Sequence, residues 1–119
     1  MKRFAILLTS ILLLAGAEVH AHAMLEQANP RVGSTIKGSP QRITLTFTQK
    51  LEGAFSSISV TNASGARVDA GKAQVDASNP TVLQVGVKSL AAGTYKVQWK
   101  VLSVDTHTTQ GSFSFTVAP

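Results

Sequence analysis

The sequence predicts an all-β fold: two packed antiparallel sheets with Greek-key connections and about seven strands. Three observations carry that expectation. Apolar residues recur with a period of two rather than 3.6, clusters of turn-forming residues interrupt them at short intervals, and no segment after residue 21 carries an amphipathic helical pattern.

The chain opens differently. Lys2-Arg3 is a short positive region, residues 4–17 are an almost unbroken apolar run rich in leucine, and small residues follow. That run is shorter than the roughly 20 apolar residues a membrane-spanning helix needs. The order of charge, apolar run and small residues predicts a cleaved secretory signal over residues 1–21 and one domain over 22–119. Three places satisfy the small-x-small rule of the peptidase. A cut after Ala17 leaves Glu18 first, one after Ala21 leaves His22 first, and one after Ala23 leaves Met24 first. Each gives a different N-terminus and a different chemistry: Glu18-Val19-His20 would itself chelate Cu(II) or Ni(II) through amine, amides and imidazole. By pattern alone the first two cuts are nearly equal.

The strands follow in order. Residues 23–28 are a weak candidate ended by Asn29-Pro30. Residues 43–47, Ile-Thr-Leu-Thr-Phe, alternate strictly between apolar and polar, as a half-buried strand does. Residues 58–60 and 82–87 are shorter apolar or alternating pieces, and 67–70 is a second weak candidate. Residues 95–101, Tyr-Lys-Val-Gln-Trp-Lys-Val, and 113–117, Phe-Ser-Phe-Thr-Val, alternate again, which assigns Tyr95, Trp99, Phe113 and Phe115 to the core. Gly38-Ser39-Pro40, Asn62-Ala63-Ser64-Gly65, Ser78-Asn79-Pro80 and Ala91-Ala92-Gly93 supply the turns.

Composition excludes several functions. Removing Lys2, Arg3 and Glu18 with the signal lowers the formal charge from +5 to +4, and the remaining basic residues are scattered without a patch. A nucleic-acid partner is therefore not expected. The absence of cysteine removes blue-copper, iron–sulfur and zinc-finger ligation, and leaves an exported domain resting on its apolar core.

Two histidines remain in the predicted mature chain, His22 and His107. A histidine at the N-terminus offers a metal two nitrogens, its α-amine and its imidazole. Asp105 and His107 fall between two strands, near an end of the sandwich where functional loops gather. Two apart in extended chain, they would point to the same side.

Mature His-Ala-x-Leu, Asn29-Pro30, Gly33, Leu45-Thr46-Phe47, the strand Gly93-Thr94-Tyr95-Lys96-Val97-Gln98-Trp99-Lys100-Val101, Ser103-Val104-Asp105-Thr106-His107 and Gly111-Ser112-Phe113-Ser114-Phe115 resemble the CopC family of periplasmic copper-resistance proteins. The resemblance spans essentially the whole mature chain. It implies a cupredoxin- or immunoglobulin-like β-sandwich that binds one Cu(II) per chain at one end, with His22, Asp105 and His107 as ligands. It also favours the cut that leaves His22 first. It further implies a periplasmic monomer that buffers copper or passes it to a CopD-like inner-membrane transporter, and it implies no enzymatic activity.

Two departures stand out. Gln49 occupies the place where some members have a glutamate near the metal. A methionine-rich, Cu(I)-binding loop is missing, so no second, cuprous site is expected. Two other functions compete: a histidine-brace oxidative enzyme, which would need exposed aromatic residues to hold a substrate, and a metal-free adhesion or assembly sandwich.

Overall fold

Branched and aromatic residues alternating with Ser, Thr, Lys and Gln give eight strands in the computed structural model, which describes residues 22–119. The predicted signal over residues 1–21 lies outside the described residues, and with it the alternative chelator Glu18-Val19-His20. The strands are β1 (Leu25–Asn29), β2 (Thr35–Lys37), β3 (Arg42–Phe47), β4 (Ser57–Thr61), β5 (Asp69–Asp76), β6 (Asn79–Val87), β7 (Gly93–Leu102) and β8 (Thr108–Ala118). A single 3-10 turn at Gly53–Phe55 joins β3 to β4.

They form two four-stranded sheets, in the orders β1-β3-β6-β5 and β2-β8-β7-β4. This is the immunoglobulin arrangement with its first strand divided between the sheets. β1 pairs antiparallel with β3, whereas β2 crosses over and pairs parallel with β8. The sequence pattern does not reveal β2, because three residues are too few for an alternation to stand out. The β2–β8 pair is also an exception to the purely antiparallel sheets expected. The weak candidate at 67–70 extends into the longer β5, since pairing with β6 continues to Asp76↔Asn79. That register leaves only Ala77 and Ser78 in the hairpin turn and places Pro80 inside β6.

The core is the expected set of inward residues, except that Trp99 is only half-buried and packs against it. Ile43, Leu45 and Phe47 of β3 and Leu83 and Val85 of β6 meet Ile58 and Val60 of β4, Tyr95, Val97 and Val101 of β7, and Phe113, Phe115 and Val117 of β8. Tyr95 stacks on Phe115 with ring centroids 5.6 Å apart, and its hydroxyl donates to the carbonyl of Ala91 at 2.6 Å, four residues upstream. This buries the ring without stranding its polar end, as a tyrosine corner does. At the open side of the second sheet, Asp69 stitches β4 to the start of β5. Its carboxylate accepts the Val60 N–H at 2.9 Å and pairs with Arg67, which holds it below the ordinary carboxylate range.

Trp99 is half-buried and meets Phe47 of the opposite sheet edge-on, with centroids 5.0 Å apart. Its ring lies over its cross-strand partner Gly111, where a Cβ would stand 2.5 Å from Trp99 Cζ2. Glycine is required there by proximity rather than by backbone angle. Gly111→Ala is therefore expected to destabilise the domain by about 1–3 kcal/mol through overpacking, read as a shift in the denaturation midpoint. An unchanged midpoint would show that the indole moves aside freely.

Candidate metal centre

The chain enters the fold as a short extended segment tied to both sheets. Ala23 is wholly buried, while His22 and Met24 on either side are exposed, the alternation of a strand. The main-chain bonds alternate in the same way. Toward β3, the Met24 N–H donates to Thr48 Oγ1 at 3.0 Å, the Thr48 N–H donates to the Met24 carbonyl at 3.0 Å, and the Thr48 hydroxyl donates to the His22 carbonyl at 3.4 Å. Toward β8, the Thr109 hydroxyl donates to the Ala23 carbonyl at 2.7 Å. Thr48 directly follows β3 and Thr109 lies in β8, so His22 is held where the two sheets come together.

The turn between β7 and β8 supplies the other side. Ser103 is wholly buried and organises it. Its N–H donates to the His107 carbonyl at 2.9 Å, its carbonyl accepts the Thr106 N–H at 2.8 Å, and its hydroxyl accepts the His107 N–H at 3.3 Å while donating to Asp105 Oδ1. Lys50 fixes the turn from outside, its carbonyl accepting the Val104 N–H at 3.0 Å. Thr106 has a φ of 72°. A left-handed conformation costs a residue with a Cβ about 1–2 kcal/mol, a strain the surrounding bonds hold in place.

Asp105 and His107 do share a side, but by a tight turn rather than by the extended backbone expected. Asp105 Oδ1 lies 3.2 Å from His107 Nδ1. The His107 ring in turn meets the His22 ring at a centroid separation of 4.8 Å and an interplanar angle of 61°. The structure thus brings all three predicted residues to one end of the sandwich as two contacting pairs that share His107. Among the described residues, no three His, Cys, Asp or Glu side chains are already drawn to metal-holding spacing.

The Asp105 carboxyl is held below the ordinary carboxylate range, first by the Ser103 hydroxyl and then by His107. It therefore stays ionised, and able to bind a cation, into mildly acidic solution. Gln49 is half-buried between Thr48 and Lys50, beside the segment that holds His22. Glu26 is exposed in β1. Trp99 sits one layer inward: it meets Phe47, the residue before Thr48. A groove of about 590 Å³ lies elsewhere, on the second sheet over Ser57, Gln98, Lys100 and Gln110.

Three positioning residues escape the sequence reading: Thr48, Ser103 and Thr109. Only Ser103 left a trace, its two-residue spacing from Asp105 being that of a side-chain-capped turn.

The CopC domain model matches residues 25–118. The chain belongs to the CopC domain family. Protein YobA of Escherichia coli strain K12 is 36% identical over 114 residues, which cover 95% of this chain and 90% of YobA. The crystal structure of CopC from Methylosinus trichosporium OB3b superposes with a TM-score of 0.78 at 36% identity, covering 82% of this chain and 95% of that one. PcoC, a methionine-rich copper resistance protein from Escherichia coli, superposes with a TM-score of 0.72 at 33% identity, covering 82% and 99%.

The copper transport protein CutJ of Bacillus subtilis is 28% identical over 98% of this chain, but the chain spans only 22% of CutJ's length. PcoC and the 34% identical copper resistance protein C of Xanthomonas campestris pv. juglandis are named for copper resistance. Unlike PcoC, this CopC-family chain has one methionine among its described residues, Met24.

Ser103→Ala should raise the Asp105 pKa toward the ordinary carboxylate value, followed by NMR titration of the side-chain carboxyl. The sign follows from the folded-state pKa being depressed. The ionised group favours the fold above the ordinary carboxylate range, and that contribution is lost as pH falls through the folded value. A titration indistinguishable from the parent would show that the Ser103 hydroxyl does not hold Asp105.

Proposed function

We propose that this CopC-family protein binds one Cu(II) at the end of its sandwich, through the α-amine and imidazole of His22, the imidazole of His107 and the carboxylate of Asp105. The single observation that carries the reading is the approach of the His22 ring to His107, itself in contact with Asp105. Nitrogen and oxygen donors of this kind suit Cu(II), which heads the divalent affinity order. The amine exists only if the signal is cut between Ala21 and His22, so that processing is part of the proposal. It would leave residues 22–119 as a monomer in the periplasm.

Within that setting the protein buffers Cu(II) or delivers it to a CopD-like inner-membrane transporter. Delivery gains support from CutJ, in which a region matching this chain is part of a far longer copper transport protein.

The test is Cu(II) titration of the exported protein, with its intact mass fixing the N-terminus and the stoichiometry. His107→Ala, which removes an imidazole, and one residue added before His22, which displaces the amine from its chelate, are each expected to weaken binding by about 100-fold or more. Asp105→Asn keeps an oxygen but loses its charge, and should cost about tenfold. Three variants that bind like the parent would place the site elsewhere.

Affinity is also expected to fall as pH drops from neutral toward about 5, because an amine and two imidazoles must shed protons before they bind metal. A flat profile of the dissociation constant over that range, corrected for protonation of the competing chelator, would exclude a site built on these nitrogens.

A further inference from the structure

We propose that Met24 converts the same site into a cuprous one, its thioether joining the imidazoles of His22 and His107 around Cu(I). The inference rests on the Cu(II) reading above and extends it to the second oxidation state. Exposure alone would carry nothing, since single exposed apolar side chains are common. What carries it is placement. Ala23 points wholly inward, so His22 and Met24 leave the chain on the same outward side, and Thr48 holds the backbone of both residues.

Two residues of extended chain separate their Cα atoms by about 6.6 Å. An unbranched thioether side chain covers such a distance readily. Met24 is 60% exposed, so its side chain can turn toward the His22 and His107 rings without disturbing the core.

The chemistry selects the ion. A soft thioether favours Cu(I), whereas a carboxylate suits harder cations. With no cysteine in the chain and no other methionine among the described residues, Met24 is the one soft donor near these imidazoles. Asp105 and Met24 would then divide the labour, the carboxylate serving Cu(II) and the sulfur serving Cu(I). The two ions would compete for one position.

The exported protein, Met24→Leu and Asp105→Asn are titrated with Cu(I) under anaerobic conditions against a cuprous chelator, and separately with Cu(II). Copper K-edge absorption of the Cu(I) forms reads sulfur directly. Met24→Leu should lower Cu(I) affinity by about tenfold or more and abolish a copper–sulfur scatterer seen in the parent, leaving Cu(II) affinity unchanged. Asp105→Asn should do the reverse. Leucine matches methionine in size at an exposed position, so a folding defect is not expected to intervene. A parent that binds Cu(II) but shows no copper–sulfur scatterer, or a Met24→Leu protein with undiminished Cu(I) affinity, overturns the role of Met24 alone. A parent that binds no Cu(II) overturns the underlying site, and this inference with it.

Discussion

The arrangement at the end of the sandwich depends on how the first few residues after position 21 are anchored. Ala23 is buried without exposure, and the main chain around it is bonded on one edge to Thr48 and on the other to Thr109. Thr48 directly follows β3 of one sheet, and Thr109 lies in β8 of the other. The segment therefore acts as a clasp across the sandwich, its backbone bonds holding the residue whose ring lies beside His107. An untethered segment would lose conformational entropy on binding a ligand; one already fixed along both edges has lost most of it on folding.

The facing turn is built on a comparable economy. One buried hydroxyl, that of Ser103, serves both the backbone and the carboxylate of the same five-residue turn. Its contact with Asp105 lowers the carboxyl's proton affinity, and the left-handed Thr106 lets Asp105 and His107 approach each other. Backbone strain and polar contacts gather where the candidate ligands are, while the apolar layers beneath follow regular alternation. Trp99 links the two regions: it fills the space over Gly111 and abuts Phe47, next in sequence to the threonine that holds His22.

Much of this was legible in the chain. Strict alternation at 43–47, 95–101 and 113–117 located three strands and their inward faces, because a half-buried strand leaves a period-two record of which residues lose contact with water. The turn clusters between them set the spacing of a sandwich. Where burial was shallow or pairing short the record failed. β2 has three residues and only one half-buried side chain, and β5 carries bulges and glycine that break its alternation. Pro80, a breaker by local rule, sits within β6, where cross-strand register outweighs local preference.

The sequence by itself determined the class of fold, the inward residues and the chemical nature of the candidate donors, since hydrophobic period and side-chain functional groups are local properties. It could not determine that β1 and β2 divide between the sheets, that Thr48 and Thr109 grip the segment around Ala23, or that His22 comes to lie 4.8 Å from His107. Those are relations between residues remote in the chain. They are fixed only when two sheets pack and their registers place particular hydroxyls, rings and carbonyls within reach of one another.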